Sequence, residues 1–379
     1  MRLLITMDFP PREGGLQTWA FELARHLHLL GGPITVLARR PTAANRAFDR
    51  RLSFPVQRMG GHDWDHYGHF YVAYYLLKFL ALRGSKPLVY ATHWKTGLVP
   101  AMLGSLIGMK VLIGAHGLEI LKEKGILRRW LIRQAFRQAH RGIAVSSFAR
   151  QALIRLGVPK EKLARIPNGV DVERFRPGER SSTLISRHHL QDRKVILTLA
   201  RLVPRKGQDQ VIRALPMVLR KVPEAIYLVA GKGGDESRLR ALADSLGLGA
   251  RVIFCGYVPA DEVVDYYRLA DVYIMASREI EETGDVEGFG ISFLEAGACR
   301  VPVIGGRSGG VSDAVIDGVT GLLVDPSNPD RIAEAIIRVL TNEEYAEQLA
   351  SAARRRIVEN LQWEHMARRC MRLEGDRRE

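Results

Sequence analysis

The sequence predicts an α/β protein built from two Rossmann-like lobes. Three observations lead there. At 379 residues the chain exceeds what one hydrophobic core usually supports, and its 46% apolar content supplies two cores. Short apolar runs alternate with helical stretches in two successive series. Between the series lies IPNGVDVERFRPGER, rich in Gly, Pro and charge and without a period, which reads as a hinge.

The first series opens with LLIT at 3–6 as a strand, a turn at Gly14 and Gly15, and a helix over 16–30 with apolar residues at helical spacing. Gly31-Gly32-Pro33 stops that helix before the strand ITVLA. Strands follow at 88–92, 110–116 and 142–146, each a continuous apolar run as buried parallel strands require. The second series places strands at 195–201, 225–231, 251–256, 271–277 and 301–306. The expected boundaries are a first lobe at 1–176, a second at 177–360 and a terminal helix at 361–379. Open sheets of this kind bind ligands beyond the carboxyl ends of their strands, so the expected site is a cleft between the lobes.

Charge is unevenly spread. Residues 1–176 carry 28 basic and 11 acidic side chains, whereas 177–379 carry 28 and 30, so the first lobe holds the whole excess of the net +15. An anionic partner for that lobe is expected, either acidic lipid or nucleic acid. Three cysteines without a C-x-x-C pair argue against a disulfide framework or a structural zinc site and fit a reducing cytoplasm. The opening MRLLITMDFP reaches Asp8 and Pro10 too soon for a signal peptide, and no apolar run is long enough to span a bilayer.

The densest chemical constellation is Glu287 to Glu295, in which two glutamates flank a glycine loop and the start of a helix. Glycines admit a ligand close to the backbone, and the amides of a helix start suit a diphosphate. Arg201 ends a strand, and Lys206 follows five positions later before Gly207. Fixed cations there stabilise the charge that develops on a departing nucleoside diphosphate. Taken singly, the glutamates also read as ordinary exposed charges and RLVPRKG as an exposed basic turn.

Together the segments resemble the family 4 glycosyltransferases of GT-B architecture, a retaining group that includes the phosphatidylinositol mannosyltransferases. The resemblance covers nearly the whole chain. It rests on DFPPREGGLQT, AHGLE at 115–119, PNGVDVERF at 167–175, ARLVPRKGQD at 200–209, the spaced glutamates, and SGGVSDAVIDGVTGLLVDP at 308–326. It implies that Gly14 and Gly15 bring amides to the diphosphate, that Arg201 and Lys206 hold its oxygens, and that Glu295 binds the ribose hydroxyls. It further implies that Glu287 contacts the donor sugar beside the amides of Phe289 and Gly290, that His116 lies near the transferred sugar, and that Tyr257 and Val258 hold the base. In such proteins the terminal helix often returns to the first lobe.

The implied reaction is hexosyl transfer with retention by front-face attack, the leaving phosphate helping to take the acceptor proton. A double displacement would instead make Glu287 a nucleophile. The closest segments favour mannose from GDP-mannose and a lipid-linked or saccharide acceptor. A UDP-sugar-dependent glucosyl- or N-acetylglucosaminyltransferase is the alternative, followed by a nucleotide-sugar epimerase of the same fold. The basic excess carries no helix-turn-helix, zinc finger or RRM signature, so no nucleic-acid partner is expected. No cofactor or metal is expected, and Asp63-Trp64-Asp65 is read as a polar loop. The stretch 122–141, with seven basic residues and one acid, carries Arg129, Arg133 and Arg137 four apart beside Leu127, Trp130, Leu131 and Ala135. It is either a helix lying on an anionic leaflet or a solvated basic helix packed on its own lobe. The aromatics at 64–79 either line the acceptor entrance or fill the core. The expected location is cytoplasmic, peripheral at the inner face of the cell membrane.

Overall fold

The structure, a computed structural model, describes residues 1–39, 42–61, 64–123 and 125–375. The chain divides into two units, Met1–Asn168 with Trp363–Glu379, and Gly169–Gln362.

The sheet of the first unit runs in the order β3-β2-β1-β4-β5-β6-β7. Its strands are β1 (Arg2–Thr6), β2 (Ile34–Arg39), β3 (Val56–Met59), β4 (Leu88–Ala91), β5 (Val111–Ala115), β6 (Arg141–Ala144) and β7 (Leu163–Arg165). The second unit repeats the plan in the order β10-β9-β8-β11-β12-β13. There the strands are β8 (Lys194–Leu199), β9 (Ala225–Ala230), β10 (Val252–Gly256), β11 (Val272–Met275), β12 (Val303–Gly306) and β13 (Leu322–Val324). Neighbours pair in parallel throughout both sheets. Leu3, Leu4 and Ile5 of β1 are fully buried, as are Tyr227, Leu228 and Val229 of β9. Helices on both faces of a parallel sheet produce that continuous burial. Strand order reverses between β1 and β4 and again between β8 and β11, and folds of this kind bind ligands beyond the strand ends at such a reversal.

All the expected strands are present; β3, β7 and β13 were not anticipated. Each is only three or four residues long, and β3 (VQRM) sets two polar residues side by side at the sheet edge. The unit boundaries also differ from the expected 176/177 and 360/361. Val170 N donates to Leu361 O at 2.9 Å, and Val172 and Phe175 are buried, with Phe175 edge-on to Tyr267 at 6.0 Å. Val170, Val172 and Phe175 of the expected hinge therefore belong to the second unit, while Ile166 stays in the first.

The helix Gly15–Leu29 turns Trp19, Ala20, Leu23, Ala24 and Leu27 inward. The C-terminal helix Trp363–Arg372 packs against it and buries Trp363, Met366, Ala367 and Cys370. Just beyond, Glu374 accepts from Arg2 Nε at 2.6 Å and from Tyr90 Oη at 2.7 Å. The last helix is thus fastened to the strands β1 and β4.

The basic stretch forms the helix Ile126–Gln138. Its buried face is Ile132, Ala135 and Phe136, so Ala135 belongs to the core side and not to the outward apolar stripe. Leu131 is half-buried against the same core. Ile126, Leu127 and Trp130 stay exposed, Trp130 at 51%, beside the exposed Arg129, Arg133 and Arg137. The aromatic stretch forms the helix Trp64–Arg83: Val72, Leu76 and Phe79 enter the core, while Phe70, Tyr74 and Leu77 face outward. Of Asp63-Trp64-Asp65, Asp63 lies outside the described residues, and Trp64 and Asp65 open that helix in place of the expected loop. Among the described residues no helix is long and apolar enough to cross a membrane.

Candidate active site

In the second unit the chain leaves β8 through a short turn, Pro204–Lys206, capped by Gly207 at φ 73°. A Cβ at Gly207 would fall 1.9 Å from Ala276 O, so only glycine lets this turn close against the end of β11. Lys206 Nζ is thereby brought 2.6 Å from Glu287 Oε2, and Arg205 Nη1 donates to the same oxygen at 2.9 Å. Burial pushes the Glu287 carboxyl up, but Lys206 and Arg205 outweigh it and hold the group at about 2. Burial lowers the Lys206 ammonium, with Glu287 acting against it. Arg201 is exposed, and its charge reaches Lys206 and lowers it further.

Glu287 is also fixed through its main chain. Gly310 N donates to Glu287 O at 2.8 Å, and a Cβ at Gly309, which stands at φ 55°, would fall 2.3 Å from that oxygen. The consecutive glycines of S-G-G therefore let one loop press against the other. Phe289 is buried and Gly290 precedes the helix Ile291–Ala298. Inside that helix Glu295 accepts from Tyr267 Oη at 2.7 Å, and burial pushes its carboxyl up despite this bond. Tyr267 contacts Tyr273 edge-on at 5.6 Å, and Tyr273 contacts Phe293 at 5.7 Å, so an aromatic row packs against the helix that carries Glu295. Tyr257 and Val258 follow β10 at the sheet edge, with Val258 buried and Tyr257 half exposed.

Gly14, Gly15 and His116 belong to the first unit. Gly14, at φ 151°, precedes the helix that Gly15 opens, beyond the end of β1. His116 follows β5, donates from Nε2 to Thr92 O at 3.0 Å and meets the Trp19 ring edge at 5.0 Å. Burial lowers its imidazole to about 4, so it is neutral at physiological pH with Nδ1 as the acceptor nitrogen. Around it, His93 is buried and lowered to about 3, its Nε2 lying 3.8 Å from Asp8 Oδ2. Gln17 Nε2 donates to Asp8 Oδ1 at 3.0 Å. Glu119 accepts from His116 N at 2.7 Å, yet burial lifts its carboxyl to about 7. Among the described residues no cluster of three or more His, Cys, Asp or Glu side chains is arranged to hold a metal ion.

Residues 13–174 match the family described as Glycosyltransferase Family 4, and residues 183–356 match Glycosyl transferases group 1. The GDP-mannose-dependent alpha-(1-6)-phosphatidylinositol monomannoside mannosyltransferase of Mycolicibacterium smegmatis is 34% identical, over 100% of this chain and 99% of its own length. The chain is a family 4 glycosyltransferase. The Mycobacterium tuberculosis protein of the same description is also 34% identical, over 96% of this glycosyltransferase and 95% of the relative. Among solved structures, Anabaena HepE in complex with UDP superposes with a TM-score of 0.82 at 21% identity, covering 98% and 99% of the two chains. Sucrose-phosphate synthase of Thermosynechococcus elongatus gives 0.78 at 22%, covering 98% of each. These two likenesses show the GT-B fold of the enzyme.

Within this glycosyltransferase Lys206 and Glu287 are paired, the Arg201 charge reaches Lys206, and Glu295 bonds Tyr267. Arg205, Tyr267, Asp8, His93 and Glu119 were not singled out from the sequence. The only sequence signal for Arg205 was its place beside Lys206 in one basic turn, which does not name the partner. Tyr267, one of two tyrosines in a short helix, had none.

Proposed function

We propose that this enzyme is a retaining mannosyltransferase that takes mannose from GDP-mannose and places it on an inositol-containing lipid. The observation that carries the reading is full-length 34% identity to relatives described as GDP-mannose-dependent phosphatidylinositol monomannoside mannosyltransferases. Further relatives are described as D-inositol 3-phosphate glycosyltransferases, one of them 30% identical over 74% of this chain, so inositol recurs in both sets of acceptors.

In this reading the second unit binds the donor and the first receives the acceptor. Arg201 and Lys206 take the diphosphate oxygens and stabilise the charge released as the glycosidic bond breaks. Glu295 accepts from the ribose hydroxyls, Glu287 accepts from a hydroxyl of the mannose beside the Phe289 and Gly290 amides, and Tyr257 and Val258 hold the base. The amides at Gly14 and Gly15 face the diphosphate, and neutral His116 orients the transferred sugar. Glu287, paired with two cations, is a poor nucleophile, which supports front-face attack with retention over double displacement. The nucleotide sugar is a substrate, and the reading needs no metal or other cofactor. The exposed Ile126, Leu127 and Trp130, set among arginines, support a peripheral position on an anionic membrane at the cytoplasmic face.

The test is turnover with GDP-mannose, UDP-glucose and UDP-N-acetylglucosamine against phosphatidylinositol and its monomannoside, following nucleotide release and lipid product. GDP-mannose with an inositol lipid is expected to give the highest kcat/KM. A UDP-sugar giving higher kcat/KM would establish the alternative donor.

A further inference from the structure

Arg205 and Lys206 are consecutive, yet both reach one oxygen of one carboxylate. Their distances to Glu287 Oε2 are 2.9 and 2.6 Å, and the three side chains are 8%, 12% and 12% exposed. Among the described residues none bonds Oε1. A lysine alone is a point charge and leaves the carboxyl free to swing, whereas a planar guanidinium fixes its direction. Arg205 also grips the loop that leads into Glu287. Its carbonyl accepts from Arg278 N at 2.9 Å where the loop begins, and its Nε lies 3.6 Å from Asp285 Oδ1 where the loop ends. Between these points Ile280 N donates to Asp285 O at 2.9 Å and closes the loop on itself.

We infer that Arg205 is a positioning residue for the donor sugar: by occupying Oε2 with Lys206 and pinning both ends of the loop, it leaves Glu287 Oε1 aimed at a sugar hydroxyl. The inference rests on the proposed role of Glu287. A donor sugar held one ångström out of place costs about a hundredfold in rate, so the guanidinium contributes through geometry without touching substrate.

The test compares Arg205→Met, Arg205→Lys, Glu287→Gln and the double variant Arg205→Met/Glu287→Gln. Turnover is measured with the nucleotide sugar the wild type uses, and GDP and UDP affinities by calorimetry. In R205M kcat is expected to fall about tenfold or more while nucleoside diphosphate affinity stays within about twofold, because the misplaced group faces the sugar and not the phosphates. R205K should lie between R205M and wild type. The double variant should be no slower than E287Q alone, since a residue acting through Glu287 has nothing left to position. Wild-type kcat in R205M, a loss of diphosphate affinity matching the loss of kcat, or losses that multiply in the double variant would each overturn the inference. Where R205M does not fold, R205K decides: reduced kcat with diphosphate affinity kept supports the role, and wild-type kcat removes it. An E287Q enzyme of full activity would remove the Glu287 assignment itself, whereas a crippled E287Q beside an unaffected R205M would remove only the role of Arg205.

Discussion

Lys206 is asked to be paired and available at once. Its ammonium is buried against Glu287, yet the proposed chemistry needs it to meet phosphate oxygens as well. Arg201→Ala and Lys206→Ala are each expected to lower kcat about a hundredfold or more while the fold survives, as loss of one preorganised charge contact commonly does. Steady-state kinetics with circular dichroism checks both halves of that statement. In Lys206→Met the Glu287 carboxyl loses the second-largest influence on it, so its titration should move up from about 2, visible by carboxyl NMR. The buried histidines give a separate pH signature. His93 and His116 titrate at about 3 and about 4 in the folded chain, below the ordinary 6.5, so between those values the unfolded chain binds more protons. Stability is therefore full above pH 6.5 and falls as pH drops toward 4, at about 1.4 kcal/mol per pH unit for each imidazole. Glu119, raised to about 7, works in the opposite direction between its ordinary value and 7. Urea melts of His93→Asn should show a shallower acid limb than wild type.

At the scale of elements, the long buried strands were legible because β1, β5 and β9 are continuous apolar runs that solvent-facing strands do not tolerate. The short strands escaped notice because three residues such as LLV carry no period. The spaced glutamates and the Arg-Lys pair were legible as a site through spacing and charge. Their mutual bonds were not, because nothing in the order of residues states that Arg205 and Lys206 share one oxygen. Face assignment on the helix Ile126–Gln138 failed at Ala135 for a similar reason: a small residue is compatible with either side, and the core position was decided by Ile132 and Phe136 around it. The exposed stripe makes its own prediction. Replacing Arg129, Arg133 and Arg137 by glutamine should weaken binding to anionic vesicles by about 1 kcal/mol per charge, read by co-sedimentation at low and high salt. Unchanged binding would exclude this helix as the membrane face.

At the scale of the whole molecule, the two sheets share one strand order, and in each the polar constellation gathers beyond the ends of the strands where that order reverses. The same architecture places stability far from the chemistry. Arg2 and Glu374, with side chains 14% and 19% exposed, join opposite ends of the sequence, and Tyr90 shares the carboxylate. Glu374→Ala leaves a half-buried guanidinium unpaired and is expected to cost about 1–3 kcal/mol, measured by chemical denaturation, with kcat unchanged. The route of the backbone has a consequence for anyone cutting it. The second unit is an insertion in the first, entered after Asn168 and left before Trp363. A single protease nick near 168 therefore yields a larger fragment whose last helix still lies against the smaller fragment's first. The pieces should co-elute under native conditions.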